Sequence, residues 1–275
     1  MRPIILTLFL LTACTALPIT PIPTPAQPLP DLQPAIDGGL AFLHGQYNEE
    51  YGLLQESPEI GQHRYYLTND NLLAAHVLER YGETDLAATL RASLERHNIT
   101  GNGFIEIAFG EVERWPPYHH QDEVVEQHGD DQILFEAHRG PGYFSEWSGF
   151  SNLACMGIVN EINGGYLESG RRLYAIQMAS FDGHGWPDIA YQRRDGVYET
   201  LGLAWCLYAG ALLGQPDLRV LDQLLAQQGE HGGFYTHYRV DAPQLADPNI
   251  ETISVALLAI HTLQHGPPSR FGFAE

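Results

Sequence analysis

The chain runs through one order of events four times, and that repetition limits what it can fold into. A helical stretch ends in a polar, glycine-containing loop. A glycine followed by an apolar or aromatic residue comes next, and a second helix then begins at an acidic residue. The loops are NEEYGLL, TGNGFI, DGHGWP and GEHGGFY, holding Gly52-Leu53, Gly103-Phe104, Gly185-Trp186 and Gly233-Phe234. The helix starts that follow place Asp70, Glu146, Glu199 and Glu251 at matching points. Glu146 to Glu199 is 53 residues and Glu199 to Glu251 is 52, whereas Asp70 to Glu146 is 76, so the second unit carries about 24 extra residues. Asn152-Leu153 offers a second way to align that unit, against Asn71-Leu72.

The two helices of each pair differ in character. The first reads Ala35–Gln46, Thr84–His97, Leu167–Ser180 and Asp217–Gln228. In the last of these Leu218, Leu221, Leu224 and Leu225 form one apolar stripe with polar residues opposite, the mark of a helix with one buried face. The second kind, as in LGLAWCLYAGALLG and SVALLAIHTL, has little polar surface and predicts burial on most sides. Amphipathic helices alternating with buried ones at a period near 50 predict helical hairpins arranged as a ring or arc, buried helices inside.

Residues 103–142 hold the excess. Alternation in Phe104–Phe109 and again in Ile133–Ala137 predicts strands, with turns at Trp115-Pro116-Pro117 and Gly129-Asp130-Asp131. The expectation is a β-hairpin or three-strand excursion over one end of the helices. His119, His120, Asp122, His128, Asp130 and Asp131 form the densest run of metal-type side chains. Their spacing matches no metal motif, so they read as a solvated hairpin, with no metal and no cofactor assigned.

Residues 1–34 stand apart from the fold. Arg2 and the apolar run Pro3–Leu11, too short for the roughly 20 residues that span a bilayer, end in Leu11-Thr12-Ala13-Cys14. This resembles the signal and lipobox of bacterial lipoproteins. The resemblance implies removal of residues 1–13, acylation of Cys14 and a cell-envelope, extracytoplasmic location. Pro18–Pro34 has seven prolines in 17 residues, which makes residues 14–34 an extended spacer. Residues 35–265 form the repeat domain and 266–275 a tail. Of the remaining cysteines, Cys155 and Cys206 lie in apolar helical runs. An oxidising compartment permits a bridge, but the reading is two unpaired core thiols. The formal charge of −20 argues against nucleic acid as a partner.

The GGF loop before an acidic-start inner helix, Gly232-Gly233-Phe234 ahead of Glu251-Thr252, resembles the α/α-toroid superfamily. That group includes the prenyltransferase and terpenoid-cyclase repeats and the helical-hairpin barrels of glycosidases and sugar epimerases. The resemblance implies a mainly α fold: an α/α-toroid or partial ring of about four helical hairpins with a β-hairpin insertion. This chain has about four hairpins where closed members have five to seven, and it lacks the DxDD and DDxxD motifs of the terpenoid branch.

In such a ring all inner helices begin at one rim, so Asp70, Glu146, Glu199 and Glu251 would meet at one mouth. Acidic residues at helix starts also serve as plain caps on free N–H groups. Gathered in one pocket they instead become a general acid–base set, since crowding raises the proton affinity of some and leaves others ionised. Glu199 and Glu251 are the candidate acid and base, with Asp70 assisting. Glu146, the loop aromatics Trp186, Tyr191, Tyr198, Phe234 and Tyr235, the repeated loop histidines His184 and His231, and Arg194 are candidate contacts for a saccharide. Two functions follow: an anchored carbohydrate-active enzyme of hydrolase, lyase or epimerase type, or a non-catalytic surface lipoprotein binding a glycan or protein. For the anchor, Cys14→Ser should abolish incorporation of labelled fatty acid and release the chain from the membrane fraction; persistent labelling would contradict the lipobox.

Overall fold

The computed structural model describes residues 28–58, 64–99, 104–186, 196–241 and 246–267, and the chain divides into two units, Met1–Asp31 and Leu32–Glu275. Cys14, the signal and most of the proline-rich spacer lie outside the described residues, as do Tyr191, Arg193 and Arg194. The second unit is mainly α with small β-sheets. Its helices are α1 (Gln33–Gly45), α2 (Thr68–Arg80), α3 (Thr84–Arg96), α4 (Glu106–Phe109), α5 (Ser151–Asn163), α6 (Leu167–Ala179), α7 (Thr200–Leu212), α8 (Leu218–Leu225) and α9 (Ile250–His265). Among the described residues no helix is long and apolar enough to cross a membrane.

The two kinds of helix behave as their sequences predict. Every residue of α7 is buried, whereas α8 buries only Val220, Leu221 and Leu224. Amphipathic α3, α6 and α8 pack against α2, α5 and α7. The buried helices contact one another in the order α2, α9, α7, α5. Contact between α5 and α7 is close because Gly202 has no side chain: a Cβ there would sit 1.9 Å from the Ser151 Oγ. Gly232 answers a second close approach, its φ of +82° and a 2.1 Å clash of any Cβ with the Gly38 carbonyl both demanding glycine. The helix read as Asp217–Gln228 ends at Leu225 instead. Gln228 turns back to pair with Phe234, and its amide donates to the Ala35 and Gly232 carbonyls.

The insertion departs from its predicted form in one half. Phe104–Phe109 alternates but folds as the short helix α4, ended by Gly110 at φ +90°. Six alternating residues suit either state, and tertiary contacts on several sides decide it here. Ala108 O accepts the Tyr208 hydroxyl of α7, Asn163 of α5 donates to Ile107 O, and Phe109 lies 4.4 Å from the His76 ring of α2. The second half is the expected hairpin, β4 (Tyr118–His128) and β5 (Asp131–Tyr143), turning at Gly129. Its third strand comes from outside the insertion. This is β3 (Arg64–Leu67), parallel to β5 and running straight into α2. Asp131 is held by Arg64 and by the Tyr51 hydroxyl at 2.8 Å, and His128 by Glu126 at 3.0 Å. The acidic and histidine-rich turn therefore ties the sheet together.

Two side-chain amides join the sheet and a hairpin to α2. Asn71 accepts from Leu54 N–H at 2.7 Å and donates to the carbonyls of Leu54 and Leu67. Leu54 lies in β2 (Leu53–Leu54), paired with β1 (Tyr47–Asn48). Asn69 accepts from Glu136 N–H at 2.8 Å and donates to Glu136 O at 3.2 Å. Each amide thus acts as a detached piece of strand backbone.

Cys155 and Cys206 are bonded, which corrects the reading of two unpaired thiols. They face each other across neighbouring α5 and α7 with Cα atoms 5.0 Å apart, a separation a disulfide spans. The bridge closes a loop of 51 residues. Reduction, or replacement of both cysteines by alanine, should lower the stability of the fold by roughly 2–4 kcal/mol in denaturant titration; equal midpoints for oxidised and reduced protein would contradict the bridge.

Candidate active site

Three of the four acidic helix starts reach one cavity of about 540 Å³. Asp70 stands in the first turn of α2, Glu199 at the N-cap of α7 and Glu251 in the first turn of α9. All three line the cavity. They are not there as caps. Glu199 makes no capping hydrogen bond, and the cap of α9 is Asn249, which accepts from Thr252 N–H at 3.0 Å. Glu146 is exposed and stands five residues ahead of α5, separated from it by the 3₁₀ turn Trp147–Gly149. Asn152, in the first turn of α5, takes the place Glu146 was expected to fill.

Two carboxyls that the repeat does not mark complete the group. Glu136 lines the cavity from β5, fixed there by the Asn69 amide. Glu56 is 4 % exposed like Asp70 itself, and the two carboxyls act on each other's proton affinity. Burial pushes Glu56 up to about 8 against the pull of its bonds from Asp70 and Asn249. Asp70 is held well above the usual carboxylate range, first by burial and then by the charge and hydrogen bond of Glu56. Glu251 is raised in the same direction by burial, with Asp70, Glu136 and Glu199 adding repulsion.

Glu199 has a different setting. It lies on β6 (Tyr198–Glu199), a two-residue strand paired with β7 (His237–Tyr238) so that Glu199 is opposite His237. Both line the cavity, and the Asn152 amide lies 3.5 Å from Glu199 Oε1. Successive strand residues face opposite ways, so Tyr198 and Tyr238 stack on the other side at 5.4 Å. That is why Tyr198 does not line the cavity. Its hydroxyl donates to Asp182 at 2.7 Å, and Asp182 also accepts the His184 and Gly185 N–H groups.

The other loop candidates also lie away from the cavity. Trp186 is core, packed on Phe181 at 5.0 Å with its indole N–H on Gln177 O. Phe234 is fully buried. His184 is exposed in its turn. His231 and Tyr235 line a separate cavity of about 440 Å³ beside Phe42 and Pro248. Leu53, Trp186 and Phe234, which follow three of the repeated glycines, are buried in the core rather than facing the cavity. The fourth such residue, Phe104, does line the cavity, together with Tyr118 on β4 and with Phe144 and Phe150, whose rings are 5.3 Å apart. His119 joins them, edge-on to Phe144 at 5.2 Å. Among the described residues no group of three or more His, Cys, Asp or Glu side chains is arranged to hold a metal ion. Comparison with known family models, curated proteins and solved structures finds no match for this chain.

The proton affinities fix the sign of a pH effect. A carboxyl whose affinity is raised by folding stabilises the fold below its unfolded value, near 4.5 for Glu56, and that contribution is lost as pH rises through its folded value of about 8. Asp70 and Glu251 act in the same sense. Denaturation midpoints should therefore fall between pH 5 and pH 8, by a few kcal/mol in total. Glu251→Gln should flatten the slope, and a stability that rises over this window would refute the assignment.

Proposed function

We propose that this chain is a lipid-anchored, extracytoplasmic carbohydrate-active enzyme working by paired-carboxylate chemistry. The observation that carries the reading is the meeting of Asp70, Glu199 and Glu251, from three separate helix starts, in one cavity. Burial and crowding raise two of them toward the protonated form. Such a set supplies what glycoside cleavage, elimination or epimerisation needs: a carboxylic acid to protonate an oxygen or return a proton, and a carboxylate to accept one or attack. Glu251 is the acid, Glu199 the base or nucleophile, and Asp70 assists. Phe104, Tyr118, Phe144 and Phe150 offer apolar faces to a sugar ring, with Asn69, Asn152, His119 and His237 as hydrogen-bonding partners.

The architecture we infer is a partial ring of helical hairpins, in the manner of the α/α-toroids. The succession α2, α9, α7, α5 supports it, and α4, with contacts to α2, α5 and α7, stands where the arc would otherwise open. The Cys155–Cys206 bridge supports an oxidising compartment, in agreement with the lipobox at Cys14. The low hairpin count speaks for the non-catalytic alternative, but the acidic side chains are spent neither on helix caps nor on a flat surface, which supports the catalytic reading.

The test is a panel of neutral oligosaccharides assayed for cleavage, unsaturated products and epimerisation. Glu199→Gln and Glu251→Gln should each lower kcat by about 100-fold or more, with unfolding midpoints no lower than that of the parent. Full turnover in both variants would refute the assignment, and saccharide binding without turnover in the parent would return the chain to the binding-module reading.

A further inference from the structure

The cavity is rich in hydrogen-bond acceptors and poor in positive charge. Asp70, Glu136, Glu199 and Glu251 bring four carboxyls to it from α2, β5, β6 and α9, and among the described residues no arginine lines it. The chain contains no lysine at all. Asp70 is 4 % exposed, yet among the described residues no N–H group donates to its carboxyl or to that of Glu251. A carboxylate can accept about four such bonds. The asparagines on either side of Asp70 spend their amides on the main chain instead. The charges raising Asp70 come from Glu56, Glu136 and Asp122, and those raising Glu251 from Asp70, Glu136 and Glu199; all are carboxyls. Arg114 meets the Tyr118 side chain, donating to its hydroxyl at 2.9 Å, but does not itself line the cavity.

An acidic sugar meets only repulsion in such a place, and a neutral one leaves the acidic groups uncompensated. Carboxyls spread over four elements suit a cation larger than a metal ion. An ammonium group carries a positive charge and three N–H donors, and it gains further from an aromatic face. Phe104, Tyr118, Phe144 and Phe150 line the same cavity. We propose that the cavity takes a saccharide with a free primary amine, its ammonium group held by Glu136 and Asp70. This rests on the reading of the cavity as a saccharide site and names its substrate class: an amino sugar that is not acylated at nitrogen. Acylation would remove the charge and two of the three N–H donors. Glu136 suits the part because Asn69 binds both its main-chain groups and so fixes it beside Asp70, the next residue along α2. Glu199 and Glu251 are then left for the acid–base step. The formal charge of −20 draws a cationic ligand toward the chain from a distance.

The test is calorimetric titration of the full chain with three probes: cellobiose, the glucosamine disaccharide of the same linkage, and the N-acetylated form of that disaccharide. At about pH 6 the free amine is charged. The amine disaccharide should bind roughly tenfold or more tighter than either of the others. Glu136→Gln should remove most of that advantage. Glu95→Gln, which neutralises an exposed carboxyl on α3, should leave it intact, and so separates the cavity from a general attraction to the acidic surface. The proposal is overturned if the amine disaccharide does not bind, or binds no tighter than cellobiose or the acetylated form; that comparison needs only the parent and stands even if Glu136→Gln does not fold. It is equally overturned if folded Glu136→Gln keeps the full advantage. Turnover is scored separately. Amine-dependent binding without turnover of any probe counts against the enzymatic reading and leaves the amine site standing, whereas turnover with no preference for the amine does the reverse.

Discussion

Two amide side chains at the start of α2 hold the site together. Asn71 closes hydrogen bonds with Leu54 and Leu67, and Asn69 with both polar groups of Glu136. Between them they attach the β1–β2 hairpin, β3 and β5 to one helical turn. Asp70 lies between these two asparagines, so its neighbours are set by main-chain bonds rather than by its own. Remove either amide and buried N–H and C=O groups lose their partners, at about 1–3 kcal/mol each. Glu136 and the segment carrying Glu56 would then be free to leave Asp70. Asn160 repeats the device elsewhere, bonding both polar groups of Glu113 and so fixing the chain between α4 and β4 onto α5.

The need for such clamps comes from electrostatics. Carboxyls brought together out of water repel each other and lose hydration, and left to themselves they would swing outward. Three features oppose that. Asp70, Glu199 and Glu251 stand at helix N-termini, where the helix dipole favours negative charge. Burial holds Asp70 and Glu56 toward the neutral form, which lessens the repulsion. The supporting helices α7 and α9 are apolar nearly all round, and α7 is pinned to α5 through Cys155–Cys206 and through Gly202, which lets the two helices touch.

How much of this was legible depended on whether the signal was periodic. The helices were readable because 3.6-residue periodicity and the 52–53-residue repeat both reported them, and three of the four acidic starts line the cavity for the same reason. The fourth failed because Glu146 is exposed ahead of the 3₁₀ turn Trp147–Gly149, and it is Asn152 of α5 that lines the cavity. The aromatic loops misled because a glycine–aromatic step closes a hairpin by burying the ring, as Trp186 and Phe234 do. Tyr198 adjoins Glu199 in sequence and yet faces away, a consequence of strand geometry on a segment two residues long. Glu56 lies in Gln55-Glu56-Ser57, which has no periodic neighbour; only its bonds to Tyr65 and Ile250, from two other parts of the chain, mark it. The disulfide was equally silent, since a buried thiol and a buried half-cystine look alike until α5 and α7 are known to be adjacent.

The extra residues of the second unit are what turn a row of helices into a cavity. Residues 103–142 supply the part of the cavity wall formed by Phe104, Ile105, Pro117, Tyr118, His119 and Glu136. The insertion supplies α4, which contacts α2, α5 and α7, and the β4–β5 hairpin, which brings Tyr118, His119 and Glu136 to the opening. Its attachment is not incidental: β5 pairs with β3, and β3 runs into α2, so the wall and the helix that carries Asp70 share a continuous backbone. The same covering that desolvates Asp70 and Glu251 also places an apolar ring surface beside them. An excess in one repeat, read as an excursion over one end of the helices, thus walls in the acidic residues.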